Sequence, residues 1–271
     1  MSTPGPAAAL DIAALYDRLA PGYDQTVLGL FPFVADHLLG RLHLRPGAKL
    51  LDVGAGTGAV ALAAGPMVAP GGRVTAVDVS EAVLARLQAK AARMGLGNVD
   101  VHTMDAGQLE FRRDYFEAVT ASFVLCQLPD PGGAVAQWLR VLKPGGELAV
   151  ATLGAGAFAP LLDELRATLG ALGVALPEPP FAAPERCGDL LRDAGAGTVE
   201  VTVRDFGYHL AHGEEWWSVI WASGLIPVLH TLDPPDLGEL RRRHMSRVAE
   251  YAGGRGIRLS LPVNIVRGRA Q

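Results

Sequence analysis

LLDVGAGTGA, Leu50–Ala59, is the stretch that decides the fold. A short apolar run, Ala48–Val53, leads straight into glycines at alternate positions, Gly54, Gly56 and Gly58, and then into the small-residue helical stretch Ala59–Ala64. An apolar run too short for a helix, followed by a glycine turn and a helical continuation, reads as a buried strand ending in a loop that a ligand can approach. Glycines there tolerate positive φ and leave main-chain N–H groups uncovered at a helix start. An ordinary tight strand-to-helix turn would use the same letters, so the surrounding sequence has to separate the two readings.

Outward from this loop, strand-like and helix-like segments alternate. Arg73–Asp78 is followed by an amphipathic helix from Ser80 to Met94, with Ser80 as N-cap and Gly95 and Gly97 as the stop. Asn98–Met104 and Phe116–Val124 read as strands, Ala134–Leu142 as a helix, and Glu147–Leu153 as a further strand. Near-continuous apolar strands separated by helices predict a parallel sheet covered on both faces, a doubly wound α/β fold. Residues 8–40 read as two helices around Pro21-Gly22 that carry a repeated pair, Tyr16-Asp17 and Tyr23-Asp24. Residues 174–185 read as a Pro-rich connection. Val199–Tyr208 and Ile257–Gly268 alternate like strands, with a helical insertion between them.

Three acids then fall at strand ends. Asp52 precedes the first glycine by two positions, Asp78 closes the second strand, and Asp105 follows the third. In a parallel sheet all three lie on the carboxyl edge, where such sheets bind ligands. Gly54, Gly56 and Ala59 also fit the dinucleotide pattern G-x-G-x-x-G/A, so a nicotinamide or flavin enzyme is a competing reading. Asp52 would oppose a pyrophosphate but favour an ammonium group, which suits S-adenosylmethionine better. Asp78 can accept both ribose hydroxyls under either reading. Asp105 can accept from an adenine amine, or simply serve as a turn residue.

Composition narrows the classes further. The 271 residues are 49% hydrophobic and 19% charged, with a formal net charge of −4, so neither disorder nor attraction to a polyanion is expected. A small-molecule partner is expected, and nucleic acid is not. The longest uncharged run, Val53–Gly72, carries six glycines and two prolines and does not read as a membrane span. Cys126 and Cys187 are too few for a disulfide scaffold. With no basic, apolar leader at the N-terminus, a cytoplasmic location is expected.

In order along the chain, YDRLAPGYD (Tyr16–Asp24), LLDVGAGTG, AVDVS (Ala76–Ser80), MDAGQLEF (Met104–Phe111), FEAVTASFVLCQLPDP (Phe116–Pro131) and LRVLKPGGELAV (Leu139–Val150) resemble the motifs of class I S-adenosylmethionine-dependent methyltransferases. The resemblance is to the branch with quinone-biosynthesis C-methyltransferases and natural-product methyltransferases. It implies a seven-stranded Rossmann-like sheet with an antiparallel last strand, plus a helical cap. The implied organisation is an N-terminal lid at 1–45, a cofactor-binding core at 46–208, a cap insertion at 209–256 and a final core strand at 257–271. It also implies that Gly54, Ala55 and Gly56 flank the methionine moiety with Asp52 near its ammonium. Asp78 would hold the ribose, Val79 would pack on adenine, and Asp105 with Ala106 would read the adenine amine. Ser122 and Gln127 would lie near the sulfonium, and Tyr16 and Tyr23 would close over the cofactor, which leaves as S-adenosylhomocysteine.

The motifs say little about the acceptor. Methyl transfer from a sulfonium disperses charge and is served by alignment and water exclusion, so no metal is expected. The fourth-strand motif reads Ser122-Phe123-Val124, unlike that of nucleic-acid amino methyltransferases. A carbon or oxygen of a small, largely apolar acceptor (aromatic, quinone or polyketide-like) is expected. The alternative is a cyclase or isomerase that keeps the cofactor without net methyl transfer. Segments 8–40 and 209–255 are expected to build the acceptor pocket, with Trp216, Trp217, Trp221, Phe31 and Phe33 as its walls; Trp217 and Trp221, at i and i+4, would equally serve as core anchors. His209 and His230 are candidate general bases. The run Arg241-Arg242-Arg243-His244 reads as a solvated helix face from which one arginine could anchor an anion.

Overall fold

The computed structural model describes residues 11–25, 29–222, 226–254 and 256–271. Residues 1–10 and 26–28 of the expected lid, and residues 223–225 and 255 of the expected cap insertion, lie outside the described residues. In chain order the elements are α1 (Ile12–Leu19), a 3-10 helix (Ala20–Gln25), α2 (Leu30–Leu39), β1 (Lys49–Val53), α3 (Ala59–Val68), β2 (Arg73–Asp78), α4 (Glu81–Arg93) and β3 (Val99–Thr103). They continue with β4 (Phe116–Ser122), a 3-10 turn (Leu125–Gln127), α5 (Pro131–Val141), β5 (Leu142–Leu153), α6 (Leu161–Ala171) and α7 (Pro184–Asp193). The last are β6 (Val199–Asp205), β7 (Tyr208–Leu210), α8 (Gly213–Ala222), a 3-10 helix (Pro227–Thr231), α9 (Pro234–Ala249), β8 (Ile257–Leu259) and β9 (Pro262–Arg269).

Seven strands form one sheet in the order β3-β2-β1-β4-β5-β9-β6, with β9 antiparallel to both neighbours. Alternation along each strand sends adjacent residues to opposite faces. Leu50 therefore packs with α2, α3 and the cap helices through Val34, Ala61 and Leu240. Leu51, its neighbour, packs with α5 and α7 through Val135, Trp138 and Leu191. Both faces are covered, which is why the central strands are largely apolar where they are buried. Two of the buried polar residues, Asp52 and Thr120, are aligned in register on β1 and β4.

Each C-terminal alternating stretch divides into two strands. Residues 199–208 break at Phe206-Gly207, and 257–268 break at Ser260-Leu261, leaving β7 and β8 as a separate antiparallel pair. Asp205 explains the break: its carboxylate accepts from Gly207 N at 2.9 Å, Leu261 N at 2.7 Å and Ser260 Oγ at 2.9 Å, replacing ladder bonds with side-chain bonds. The pair carries α8 and α9 at the rim of the sheet. α6 and α7 were not anticipated from the sequence; they flank the Pro-rich residues 174–181.

Candidate active site

Parallel register brings the strand ends together. Asp52, Asp78, the loop after β3 and Ser122 share the carboxyl edge, and the 54–58 loop crosses above them. The loop takes positive φ at Gly54 (64°), Gly56 (53°) and Gly58 (94°). Its shape is tied to the next strand, because Gly56 N donates to Asp78 Oδ2 at 2.9 Å and Ala55 N donates to Val77 O at 3.0 Å. Asp78 Oδ1 accepts from Ser80 N at 3.0 Å, and Ser80 caps α4 by accepting from Val83 N. Burial raises the pKa of Asp78 in spite of these bonds.

A cavity of about 230 Å³ opens beside this loop. Tyr16, Tyr23, Gly54, Gly56, Asp78, Val79, Asp105, Ala106, Ser122 and Gln127 line it, with Ile12, Phe31, Met104 and Phe123 among its other walls. Asp52 and Ala55 instead line an adjoining groove that shares Tyr23, Phe31, Gly54, Gly56 and Ser122 with the first cavity. Asp105 is both a turn residue and a wall, since its Oδ1 accepts from Gly107 N at 2.7 Å. The same loop is anchored from below by the buried Trp138, whose Nε1 donates to Ala106 O at 2.8 Å.

Asp52 is 1% exposed. Its Oδ1 accepts from Thr120 Oγ1 at 2.8 Å, while Oδ2 has no partner. Burial pushes its pKa up to about 7 against the Thr120 bond. An orphaned, buried carboxylate oxygen beside a glycine loop fits a cationic ligand group, because an unpaired buried charge is costly until a partner arrives. A stability prediction follows. The folded pKa lies above the ordinary 3.8, so the folded state binds the extra proton and Asp52 costs stability as pH rises from about 4 to about 7. His244 acts oppositely: burial lowers its pKa from 6.5 to about 4, so its contribution is lost as pH falls through that window. Asp52→Asn is therefore expected to raise the melting temperature of the ligand-free protein by several degrees at about pH 8 and much less at about pH 5. A pH-independent difference in differential scanning fluorimetry would refute the assignment.

The Tyr-Asp repeat has a divided role. Tyr16 and Tyr23 meet edge-on at 5.9 Å, Tyr23 stacks on Phe31 at 5.5 Å, and Phe31 meets Phe123 at 5.6 Å, forming an aromatic wall over the cavity. Burial is the main cause that raises both tyrosine pKa values, keeping the phenols neutral. The partner aspartates fasten that wall. Asp17 Oδ1 accepts from Ser80 Oγ at 2.5 Å and Ala82 N at 3.2 Å. Asp24 accepts from Thr57 Oγ1 at 2.6 Å and Lys90 Nζ at 2.7 Å. Burial opposes ionisation of Asp24, but these donors outweigh it and hold the carboxyl below its ordinary range.

Several expected acceptor-site residues stand elsewhere. Phe31 belongs to the wall just described, and Phe33 is 61% exposed. Trp216 is fully buried and donates from Nε1 to His244 Nε2 at 2.7 Å, so His244 is a core residue and not part of a solvated face. Arg241 pairs with Glu214, and Arg242 and Arg243 both pair with Glu239, so the basic run is neutralised. Trp217 and Trp221 stack on one face of α8, and His230 stacks on Trp221 at 4.7 Å. His230 Nε2 is buried without a partner, and burial with nearby Arg18 lowers its pKa. His209 is exposed on β7.

A second, largely apolar cavity of about 260 Å³ adjoins the first, sharing Phe123 and Gln127. Phe158, Leu162, Leu176, Phe181 and Ile226 also line it, and Pro227 and Val228 bring its wall to within two residues of His230. Cys126 opens into it, with its thiol pushed up to about 11 by burial.

Comparison with known proteins agrees with this geometry. Residues 51–150 match the model of a methyltransferase domain. Over 94% of this chain and 97% of the relative, the sequence is 32% identical to nocamycin O-methyltransferase of Saccharothrix syringae. It is 33% identical to the ubiquinone/menaquinone biosynthesis C-methyltransferase UbiE of Bordetella parapertussis over 55% of this chain and 59% of the relative. Among solved structures, the cyclase SpnF superposes with a TM-score of 0.62 at 22% identity, covering 99% of this chain and 98% of that one, a likeness of fold. Sequence likeness over nearly the whole chain, joined to a glycine loop, a carboxylate at the end of β2 and an aromatic wall on one sheet edge, makes the protein a member of the class I S-adenosylmethionine-dependent methyltransferases.

Proposed function

We propose that this methyltransferase moves a methyl group to a carbon or oxygen of a small, largely apolar acceptor of aromatic, quinone or polyketide-like character. The observation that carries the reading is the apolar cavity that adjoins the cofactor cavity at Phe123 and Gln127. The names of its relatives support it, one being an O-methyltransferase for nocamycin and the other a C-methyltransferase of quinone biosynthesis.

In this reading Asp78 accepts the ribose hydroxyls, and Val79, Asp105 and Ala106 surround adenine. Gly54, Ala55, Gly56 and Asp52 receive the methionine end, Ser122 and Gln127 stand near the sulfur, and Tyr16 and Tyr23 exclude water. When bound, S-adenosylmethionine supplies an electrophilic methyl group and leaves as S-adenosylhomocysteine, the acceptor's electron pair forming the new bond as the carbon–sulfur pair returns to sulfur. The acceptor proton passes to water or to a base, for which the candidates are His209 and His230. His230 is the candidate whose Nε2 is buried without a partner among the described residues and whose pKa burial lowers, so that it is neutral near pH 7. The lid, core and cap divide at residues 45, 208 and 256, and the protein works in the cytoplasm without nucleic acid.

The test is transfer of labelled methyl from the cofactor to a panel of phenols, quinones and polyketides. Labelled product is expected; an isomerised, unlabelled product would replace methyl transfer with cyclisation. His230→Gln is expected to lower kcat and to remove the loss of activity on acidification below about pH 6.5, because a base must be neutral to accept a proton. His209→Gln should leave the pH profile unchanged. An acid limb that survives His230→Gln would exclude His230 as the base.

A further inference from the structure

We propose that the acceptor binds in the apolar cavity beneath residues 174–181, and that this proline-rich segment is a strap whose fit selects flat, apolar acceptors. The inference rests on the methyltransferase reading above and gives it a place and a specificity element that the motifs do not contain.

Continuity is the first support. Among the described residues the cavity and the cofactor cavity share two lining residues, Phe123 and Gln127, so the two spaces adjoin. Backbone strain is the second. Among the described residues three non-glycine positions have positive φ, and two of them, Phe123 (58°) and Phe158 (64°), line this cavity. A left-handed phenylalanine is strained and persists only where its surroundings hold it. Here Phe123 N donates to Ala151 O at 2.8 Å and Phe158 N donates to Ser260 O at 2.7 Å. Both strained residues line the space a flat acceptor would fill.

The strap is held at both ends rather than along its length. Pro177, Pro179 and Pro180 lack N–H groups and keep the segment from joining the sheet. At one end Arg166 Nε donates to Leu176 O at 3.1 Å, and its guanidinium pairs with Glu178 at 3.0 Å. At the other, buried Asn264 Nδ2 donates to Phe181 O and Ala182 O, each at 3.0 Å, and Thr152 Oγ1 donates to Phe181 O at 3.2 Å. Asn264 is fully buried and fixed, whereas Glu178 is 66% exposed at its side chain, so the Arg166 end is the one that can yield. Arg166 is therefore a positioning residue that sets the depth of the cavity through Leu176.

Fluorescence titration with naphthol, using the full chain saturated with S-adenosylhomocysteine, tests the site apart from turnover. Wild type should bind naphthol. Leu176→Trp, which fills the cavity, should weaken naphthol at least about tenfold while S-adenosylhomocysteine affinity stays within about twofold. Leu162→Ala, which enlarges it, should shift preference from naphthol towards the larger anthracenol. Arg166→Gln should speed proteolysis within 174–181 and relax acceptor size selection in KM more than in kcat, with Arg166→Lys restoring part of both.

Unchanged naphthol binding in Leu176→Trp would overturn the site. If that variant lost both ligands through damage to the fold, an unaltered size preference in Leu162→Ala would overturn it instead. Naphthol binding under the strap with no labelled product from any acceptor would keep the site and refute the methyl-transfer reading. Labelled product with KM insensitive to both leucine variants would do the reverse.

Discussion

Asp78→Ala is expected to weaken S-adenosylmethionine and S-adenosylhomocysteine binding by about 100- to 1000-fold, measured by calorimetric titration. Hydrogen bonds to a charged group contribute about 1.5–3 kcal/mol each, and in the proposed binding mode the carboxylate accepts from two ribose hydroxyls. The same substitution strips a partner from Gly56 N and from Ser80 N, loosening the glycine loop and the start of α4 together. Asp78→Asn keeps one acceptor oxygen and should fall between the two. The effect should appear in both cofactor and product affinity, because the ribose does not change during the reaction. An affinity within about threefold of wild type would remove Asp78 from the ribose site and reopen the competing dinucleotide reading of the loop.

Gly54→Ala should be strongly destabilising. At φ 64° a side chain is strained, and the added Cβ would stand 2.7 Å from Val124 Cγ2. Valine is stiff about χ1, so the contact cannot be relieved by rotating a flexible side chain. Left-handed strain of about 1–2 kcal/mol and overpacking of about 1–3 kcal/mol predict a loss of about 2–5 kcal/mol and a melting temperature lower by about 4–20 °C. Val124 follows Phe123, so the displacement should also reach the wall between the cavities and weaken cofactor binding at least about tenfold. Gly71→Ala is the control: its φ is 81° with nothing within 4 Å of the added Cβ, so only the backbone strain should be felt. Val124→Gly, which removes Cβ (2.8 Å from the added methyl) together with Cγ2, should rescue part of the Gly54→Ala loss in a double-mutant cycle, since it removes the clash but leaves the strain. Additive losses would show that no steric contact couples the two positions.

The cofactor half of the site was legible because its residues are local to strand ends. A strand that ends in Asp52-Val53-Gly54, another in Asp78 and a third near Asp105 necessarily bring their C-termini to one edge of a parallel sheet, whatever the rest of the chain does. The Tyr-Asp repeat was visible too, though only contacts 33 to 66 residues apart in sequence, such as Asp24 to Thr57 and Asp24 to Lys90, assign the aspartates to fastening the aromatic wall. The aromatic and histidine assignments were less secure, because a tryptophan on an amphipathic helix has the same spacing whether it faces a pocket or the core. Trp216 and His244, 28 residues apart, satisfy each other inside the core, which no local pattern encodes.

Sequence alone determined the doubly wound sheet, the glycine loop and the three acids on its edge, since periodicity and strand-end position are local properties that survive any arrangement of the loops. The tertiary structure alone decided where an apolar acceptor has room. That space exists because Arg166, Thr152 and Asn264, from α6, β5 and β9, pull a proline-rich connection over the end of β5, and because two phenylalanines accept left-handed backbones to face it. Those bonds join residues up to 83 positions apart. Their geometry comes from packing, and packing is a property of the assembled layers rather than of any segment within them.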